Sequence, residues 1–159
     1  GAVYEQYFQE IDKVKGQKGV LSVEKKLFVE TNNGTNRQIR PVTPEQPLRI
    51  GDKVIVRLTI RTDREMNYVF LKDLRAGCFE PADQLSSPES RDGIWYYRSP
   101  KDVSENFFIN RLPEGTFVLE YPVYVSRSGE YAGGISTIQC MYAPEFVSHT
   151  AGESLRIMP

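Results

Sequence analysis

Apolar residues recur at every second position over long stretches of this sequence, and this period limits its fold more than any other feature. Successive side chains of a β-strand point to opposite faces, so such a stretch buries one face and exposes the other. The three clearest series are Leu21, Val23, Leu27 and Val29; Val54, Val56, Leu58 and Ile60; and Phe117, Leu119, Tyr121, Val123 and Val125. Strict alternation predicts antiparallel sheets that pack one face on a core.

Shorter apolar segments continue this pattern along the chain, and turn sequences separate them. The further strand candidates are Tyr68–Leu74, Gly93–Ser99, Asn106–Leu112, Gly134–Tyr142 and Ser154–Met158. Turn residues such as Arg91-Asp92-Gly93 and Pro113-Glu114-Gly115 lie between candidates. Strands at this spacing, without helical periods between them, predict an all-β fold, an antiparallel two-sheet β-sandwich of immunoglobulin-like architecture.

The N-terminal segment departs from the period of two. Residues 1–18 place Val3, Tyr4, Tyr7, Phe8, Ile11 and Val14 at helical spacings, although Tyr, Val and Phe also favour strands. A short helix and an extended strand both remain open for this segment. Residues 19–159 have the size expected of a single domain. The first residues lack the basic and apolar regions of a signal peptide, so a signal for export would lie outside this sequence.

Charge and composition exclude several classes of function. The chain has 20 Lys and Arg against 21 Asp and Glu, a formal charge of −1, and no basic stripe that would bind nucleic acid. No apolar run approaches the ~20 residues of a membrane-spanning helix. Two cysteines and one histidine are too few for the usual four-ligand zinc site, and no cofactor motif is present. We therefore expect no metal, no cofactor and no catalytic residues, and a binding or structural module rather than an enzyme.

The polar candidates each have an ordinary structural interpretation. Asp63, Glu65 and Asp73 are predicted to be solvated charges. Asn33-Gly34-Thr35 matches a glycosylation sequon, but Asn-Gly also favours a tight hairpin turn, which we expect here. His149, the only imidazole, is expected to be an exposed loop residue.

Cysteines and aromatic residues complete the set of candidates. Cys78 and Cys140 are predicted to be two separate free thiols. The sequence Trp95-Tyr96-Tyr97 places aromatic side chains on both faces of one strand, as Phe107-Phe108 does on another. Outward-facing Trp95 and Tyr97 form the candidate docking surface.

Three segments of the sequence resemble one known family. Lys72–Pro81 resembles the strand-to-loop signature of the last domain of bacterial α2-macroglobulins, with its Asp, Ala-Gly turn and Glu-Pro. Asn106–Phe117 is similar to the family's paired-Phe strand and Leu-Pro-x-Gly-Thr turn, and Met141–Glu145 resembles its Met-Tyr-x-Pro-Glu segment. The segments occur in the family's order, and the domain that they imply spans roughly residues 20–159.

The resemblance implies a macroglobulin-like sandwich at the end of a larger exported protein of the periplasm or cell envelope. It implies residues 1–18 to be a linker or the end strand of a preceding domain, and Pro159 to lie near the natural C-terminus. Family members trap proteases, and many carry a Cys-Gln thioester in a separate helical domain. Cys78 is followed by Phe79, Glu80 and Pro81, so the thioester pattern is absent here. The implied partners are other domains of the parent chain, and proteases through the full-length protein.

Two other classes of function remain open at this point. A stand-alone carbohydrate-binding or adhesion module would use Trp95, Tyr96 and Tyr97 as an exposed, coplanar stacking platform. An enzyme using Asp63 and Glu65 would require a deep cleft and perturbed carboxylate pKa values.

Overall fold

The structure, a computed structural model, describes residues 20–34, 36–82, 87–91, 93–101 and 103–159. The expectations for residues 1–18 lie outside the described residues. The strands are β1 (Leu21–Asn33), β2 (Asn36–Pro41), β3 (Leu48–Arg49), β4 (Lys53–Thr62), β5 (Met66–Leu74), β6 (Phe79–Pro81), β7 (Ser87–Arg91), β8 (Ile94–Pro100), β9 (Ser104–Leu112), β10 (Gly115–Val125), β11 (Gly129–Ala132), β12 (Ser136–Cys140), β13 (Ala143–His149) and β14 (Ser154–Met158). Over these ranges, no helix is long and apolar enough to cross a membrane.

Two antiparallel sheets form the body of the fold. One has the strand order β2-β1-β4-β10-β6, and the other has the order β13-β12-β5-β9-β8-β7. We call them the five-stranded and the six-stranded sheet. The predicted all-β antiparallel sandwich is confirmed. A small third sheet of order β11-β14-β3 includes one parallel pair, β14 with β3, which the sequence did not indicate because β3 has only two residues.

The apolar faces of the two sheets meet in one continuous core. Val54, Val56, Leu58 and Ile60 of the central strand β4 are all buried, as the alternation predicts. The core-facing residues of β10 are Phe117, Leu119, Tyr121, Val123 and Val125, and all five are buried. The six-stranded sheet contributes several residues to the core, among them Val69, Leu71, Phe107, Ile109 and Ile138. This burial supplies the main stabilisation of the fold, because removing apolar surface from water is favourable.

The hairpin between β1 and β2 follows the predicted turn. Asn33 pairs with Asn36, and Gly34 between them has a φ of 73°. Residues with a Cβ rarely adopt this conformation, whereas glycine does so freely. The interpretation of Asn33-Gly34 as a turn is therefore confirmed.

Strand β13 was not predicted, because Pro144, Glu145 and Ser148 interrupt any alternation of apolar residues. It pairs with β12 across a register shift between Gln139 and Cys140. His149, expected in a loop, is exposed as predicted but ends this strand, with Nδ1 3.1 Å from Thr137 Oγ1.

Candidate docking surface and buried polar cluster

Aromatic side chains line up across the outside of the six-stranded sheet. Phe108 on β9 is the direct cross-strand neighbour of Phe70 on β5 and of Tyr97 on β8. The rings of Phe70 and Phe108 have centroids 4.8 Å apart and are tilted by 44°. Together with Trp95, these residues form what we call the outer aromatic face.

The alternation along β8 decides which aromatic residues belong to this face. Trp95 is 71% exposed and Tyr97 46% exposed, whereas Tyr96 between them is only 7% exposed. Tyr96 packs inside the sandwich, where its ring centroid lies 5.7 Å from that of Phe107. The two residues predicted for docking thus lie on the same side, and the three-residue stacking platform of the carbohydrate hypothesis is not formed.

An open groove of about 430 Å³ lies beside Trp95. Its wall includes Tyr97, Phe108 and Pro113, which are apolar or aromatic, together with the polar residues Asn110 and Arg111. The side chain of Arg111 is already engaged, since its guanidinium lies 2.8 Å from Glu65 Oε1. The groove therefore combines apolar and aromatic residues with a few polar ones, a composition also found in protein–protein contacts.

A second feature lies between the sheets, where Asp73 is fully buried. Lys25 Nζ on β1 and Ser136 Oγ on β12 each donate to Asp73 Oδ1 over 2.7 Å, and the hydroxyl of Tyr121 donates to Oδ2. Lys25 Nζ also donates to the carbonyl oxygens of Leu74 and Gly134, at 3.2 and 2.9 Å. The prediction that Asp73 is a solvated charge is wrong, because the inward period of β5 continues onto it.

Glu105 is the direct cross-strand neighbour of Asp73 and is also fully buried. Arg75 Nη1 donates to its Oε2 over 3.1 Å, and Arg98 Nε donates to its Oε1. Burial raises the pKa of Glu105, and this effect outweighs the attraction of Arg98 and Arg75, which lowers it. We call Lys25, Asp73, Arg75, Arg98, Glu105, Tyr121 and Ser136 the polar core cluster.

The hydroxyl of Tyr121 acts as a hydrogen-bond donor in this cluster. Burial, followed by the charge of Asp73, raises the pKa of Tyr121 well above its ordinary value, so the phenol stays a hydrogen-bond donor. Asp73 is held by one cation, Lys25, and by two hydroxyl groups, whereas Glu105 lies between the guanidinium groups of Arg75 and Arg98. The arrangement can cross-link the two sheets, since Lys25 and Tyr121 come from the five-stranded sheet and Asp73 from the six-stranded sheet.

The sequence does contain a signal for this cluster. Lys25 interrupts the series Leu21, Val23, Leu27 and Val29 at an inward position. Asp73 occupies the next inward position of its strand after Val69 and Leu71, and Arg98 does so after Ile94 and Tyr96. A charge at an inward position of a strand requires a buried partner of opposite sign. The alternation of apolar residues alone does not reveal these buried charges, because each one stands where an apolar residue is expected.

The other candidate residues form no site of their own. Asp63 and Glu65 are exposed, and each contacts an arginine, with Asp63 Oδ1 2.9 Å from Arg64 Nε. This exposed pair does not form the deep cleft that the enzyme hypothesis requires. Cys78 and Cys140 are buried free thiols. In the part of the chain that the structure describes, no three His, Cys, Asp or Glu side chains are grouped to hold a metal ion.

Comparison with known sequences identifies the domain family. The family model described as the bacterial alpha-2-macroglobulin MG10 domain matches residues 21–145. Among curated proteins, Circularly permutated Ras protein 2 of Dictyostelium discoideum is 28% identical over 109 residues, which cover 69% of this chain and 3% of that protein. The chain thus spans only a small part of this relative.

Solved structures share the fold. Salmonella alpha-2-macroglobulin reacted with methylamine superposes with a TM-score of 0.67 and 21% identity, over 88% of this chain and 9% of the other. Trypsin-activated alpha-2-macroglobulin from Escherichia coli gives a TM-score of 0.66 and 18% identity, over 88% of this chain and 10% of the other. The family match covers most of the chain, and the strands and sheets agree with it. The chain therefore belongs to the bacterial alpha-2-macroglobulin MG10 domain family.

Proposed function

We propose that this chain is a non-catalytic domain of a larger, exported α2-macroglobulin-like protein that traps proteases, and that it packs against a neighbouring domain through the outer aromatic face. The observation that carries the proposal is the exposure of Trp95 and Tyr97 beside Phe108 on one side of a rigid sheet. Large exposed aromatic groups on a sheet face mark interaction sites more often than bare surface.

The occupant of this face is a domain of the same parent polypeptide. The domain covers about a tenth of the length of the solved α2-macroglobulin chains, 9% of the Salmonella chain and 10% of the Escherichia coli chain. A parent of that size offers many neighbouring domains at high effective concentration, so a modest apolar contact suffices to hold one of them. The parent acts in the periplasm or cell envelope, and any contact with proteases is made by the full-length protein.

The same geometry supports a non-catalytic role. The carboxylates of the polar core cluster are enclosed between two sheets and bound by cations, so a substrate does not reach them. The exposed carboxylates Asp63 and Glu65 contact arginines rather than a second acid or a nucleophile. Acid–base catalysis requires a group within reach of a substrate proton.

The test is binding between this chain and the parent polypeptide truncated before it. We expect Trp95→Ala with Tyr97→Ala to weaken binding by about tenfold or more, as for central aromatic contacts in other interfaces. Tyr124→Ala is the matched control, because Tyr124 is similarly exposed (43%) but lies on β10 of the other sheet. Equal binding by all three proteins would contradict the proposal.

Two further arms separate the alternatives. The isolated chain is mixed with a panel of proteases, and stoichiometric inhibition would contradict a purely architectural role. The chain is also tested on a glycan array. Strong, Trp95-dependent glycan binding, with no binding to the parent, would favour the carbohydrate-binding alternative.

A further inference from the structure

The guanidinium group of Arg75 has more hydrogen-bond donors than the protein around it uses. Its side chain is 2% exposed, and Nη1 donates to Glu105 Oε2 over 3.1 Å. The other two nitrogens, Nε and Nη2, are buried and have no hydrogen-bond partner among the described residues. A buried donor that lacks an acceptor destabilises a fold, so native structures supply an acceptor from the protein, a water molecule or an ion.

These two nitrogens of Arg75 lie on the same edge of the guanidinium. The group is planar, and its Nε–H and one N–H of Nη2 point from that edge in parallel. Anions bind to such an edge through two hydrogen bonds at once. Arg75 therefore presents a complete two-donor edge, whereas Glu105 binds at Nη1, outside this edge.

The carboxylates of the polar core cluster balance the charge of Arg75 only in part. Glu105 also accepts a hydrogen bond from Arg98 Nε at its Oε1, so one carboxylate faces two guanidinium groups. Both oxygens of Asp73 accept from other side chains of the cluster, Lys25 among them. Because a buried charge requires compensation, the edge of Arg75 favours a negatively charged acceptor over a neutral one.

Arg75 lies at an end of the six-stranded sheet, close to solvent. It follows β5 directly, and its backbone N–H donates to the carbonyl oxygen of Val103 over 2.9 Å. Val103, just before β9, is 66% exposed. The backbone of Arg75 is therefore next to the surface, while its side chain is enclosed. An ion that binds to this side chain has a short way in from solvent and has to be small.

We propose that the Nε and Nη2 edge of Arg75 binds a small monovalent anion of the size of chloride, which forms part of the polar core cluster. The ion accepts two hydrogen bonds and completes the compensation of charge around Arg75. The site lies between the sheets rather than on the outer aromatic face, so it goes beyond the proposed docking function and does not depend on it.

Thermal unfolding of this chain at increasing chloride concentration tests the site in solution. Sodium methanesulfonate keeps the ionic strength constant, and its anion is too bulky for an enclosed edge. An anion that binds only the folded chain stabilises it, so we expect about 100 mM chloride to raise the unfolding temperature by roughly 3 °C. Bromide, which is only slightly larger than chloride, should have the same effect.

Arg75→Lys keeps the positive charge beside Glu105 but removes the two-donor edge, so its unfolding temperature should no longer depend on chloride. Arg57→Lys is the matched control. Arg57 also pairs with a glutamate, with its Nε 2.6 Å from Glu120 Oε2, but it lies on the outer side of the five-stranded sheet. This control should keep the full chloride effect. An equal chloride effect in Arg75→Lys and the wild-type chain would overturn the proposal.

A crystal of the wild-type chain grown in bromide locates the ion directly, and gives the answer if Arg75→Lys does not fold. We expect a bromine anomalous peak within hydrogen-bond distance of both Nε and Nη2 of Arg75. A water molecule at this edge in place of bromide would overturn the proposal. A bromide peak without any chloride effect on unfolding would mean binding at crystal concentration only, and would overturn it as well.

Discussion

Lys25 on β1 and Asp73 on β5 join the two sheets of the sandwich through a 2.7 Å ion pair between an ammonium nitrogen and a fully buried carboxylate oxygen. The ammonium also donates hydrogen bonds to the carbonyl oxygens of Leu74 and Gly134. The side chain of Lys25 therefore connects β1 both to the end of β5 and to the segment just before β12. Gly134 has to be a glycine for this arrangement, since a Cβ there would lie 1.7 Å from the carbonyl oxygen of Leu74.

Replacing Lys25 tests whether this pair holds the sheets together. Lys25→Met leaves the Asp73 carboxylate buried without its cation, and losing one partner of a buried pair costs about 3–5 kcal/mol. Urea unfolding of this chain measures the loss. Lys26→Met, at the next, exposed position, should change the free energy of unfolding by no more than about 0.5 kcal/mol. An equally small loss for Lys25→Met would show that Asp73 does not depend on this partner.

Leu58 tests the position of the core. It is fully buried on the central strand β4, so Leu58→Ala should lower the free energy of unfolding by about 2–5 kcal/mol. Arg61→Ala, exposed on the same strand, is the control. A loss for Leu58→Ala that matched the control would mean that this face of β4 is not the core face.

The thiol of Cys78 should be unreactive in the folded chain. Burial raises its pKa to about 11, and the thiolate is the form that reacts. Near neutral pH we expect its alkylation to be roughly a hundredfold slower than that of a free cysteine of pKa ~8.5. The measurement uses Cys140→Ser, so that only Cys78 is labelled. A thiol titration of the denatured, unreduced wild-type chain should detect both cysteines. A count of zero free thiols would contradict the prediction that Cys78 and Cys140 are unpaired.

Glu30 should contribute an acid-sensitive part of the stability. Its carboxylate accepts a hydrogen bond from Lys53 and a further one from Arg37, and these lower its pKa against the opposing effect of burial. Because the pKa of Glu30 is lower in the folded chain than its unfolded value of about 4.3, the ionised carboxylate stabilises the fold above pH ~4.3. This stabilisation is lost as the pH falls through the folded pKa. Glu30→Gln should therefore flatten the fall in stability at acid pH. A profile of Glu30→Gln identical to that of the wild-type chain would contradict the prediction.

Much of the fold could be predicted because most of its strands bury one face. Alternation of apolar residues in β1, β4 and β10 is enough to identify the core side of the five-stranded sheet from the sequence. The short strands β3, β6 and β11 could not be found, because two to four residues carry no readable period. Their pairing depends on contacts between distant parts of the chain.

Only one part of the candidate site could be predicted from the sequence. Trp95 and Tyr97 were placed on the outer side correctly by counting alternate positions in β8. The polar core cluster was missed, because a lone charge in a strand looks like a solvated residue until its partner is known. Lys25 and Asp73 are 48 residues apart, and only the packing of one sheet on the other brings them together.

The central claim, that the outer aromatic face docks on a neighbouring domain, is tested most directly through Trp95. It is the only tryptophan of the sequence, so labelling this chain with 5-fluorotryptophan gives one ¹⁹F signal from the proposed surface. Solvent accessibility of that signal is measured alone and with the unlabelled, truncated parent. We predict that Trp95 is accessible in the free chain and becomes protected when the parent binds. A signal that stays equally accessible in the saturated complex would contradict the account.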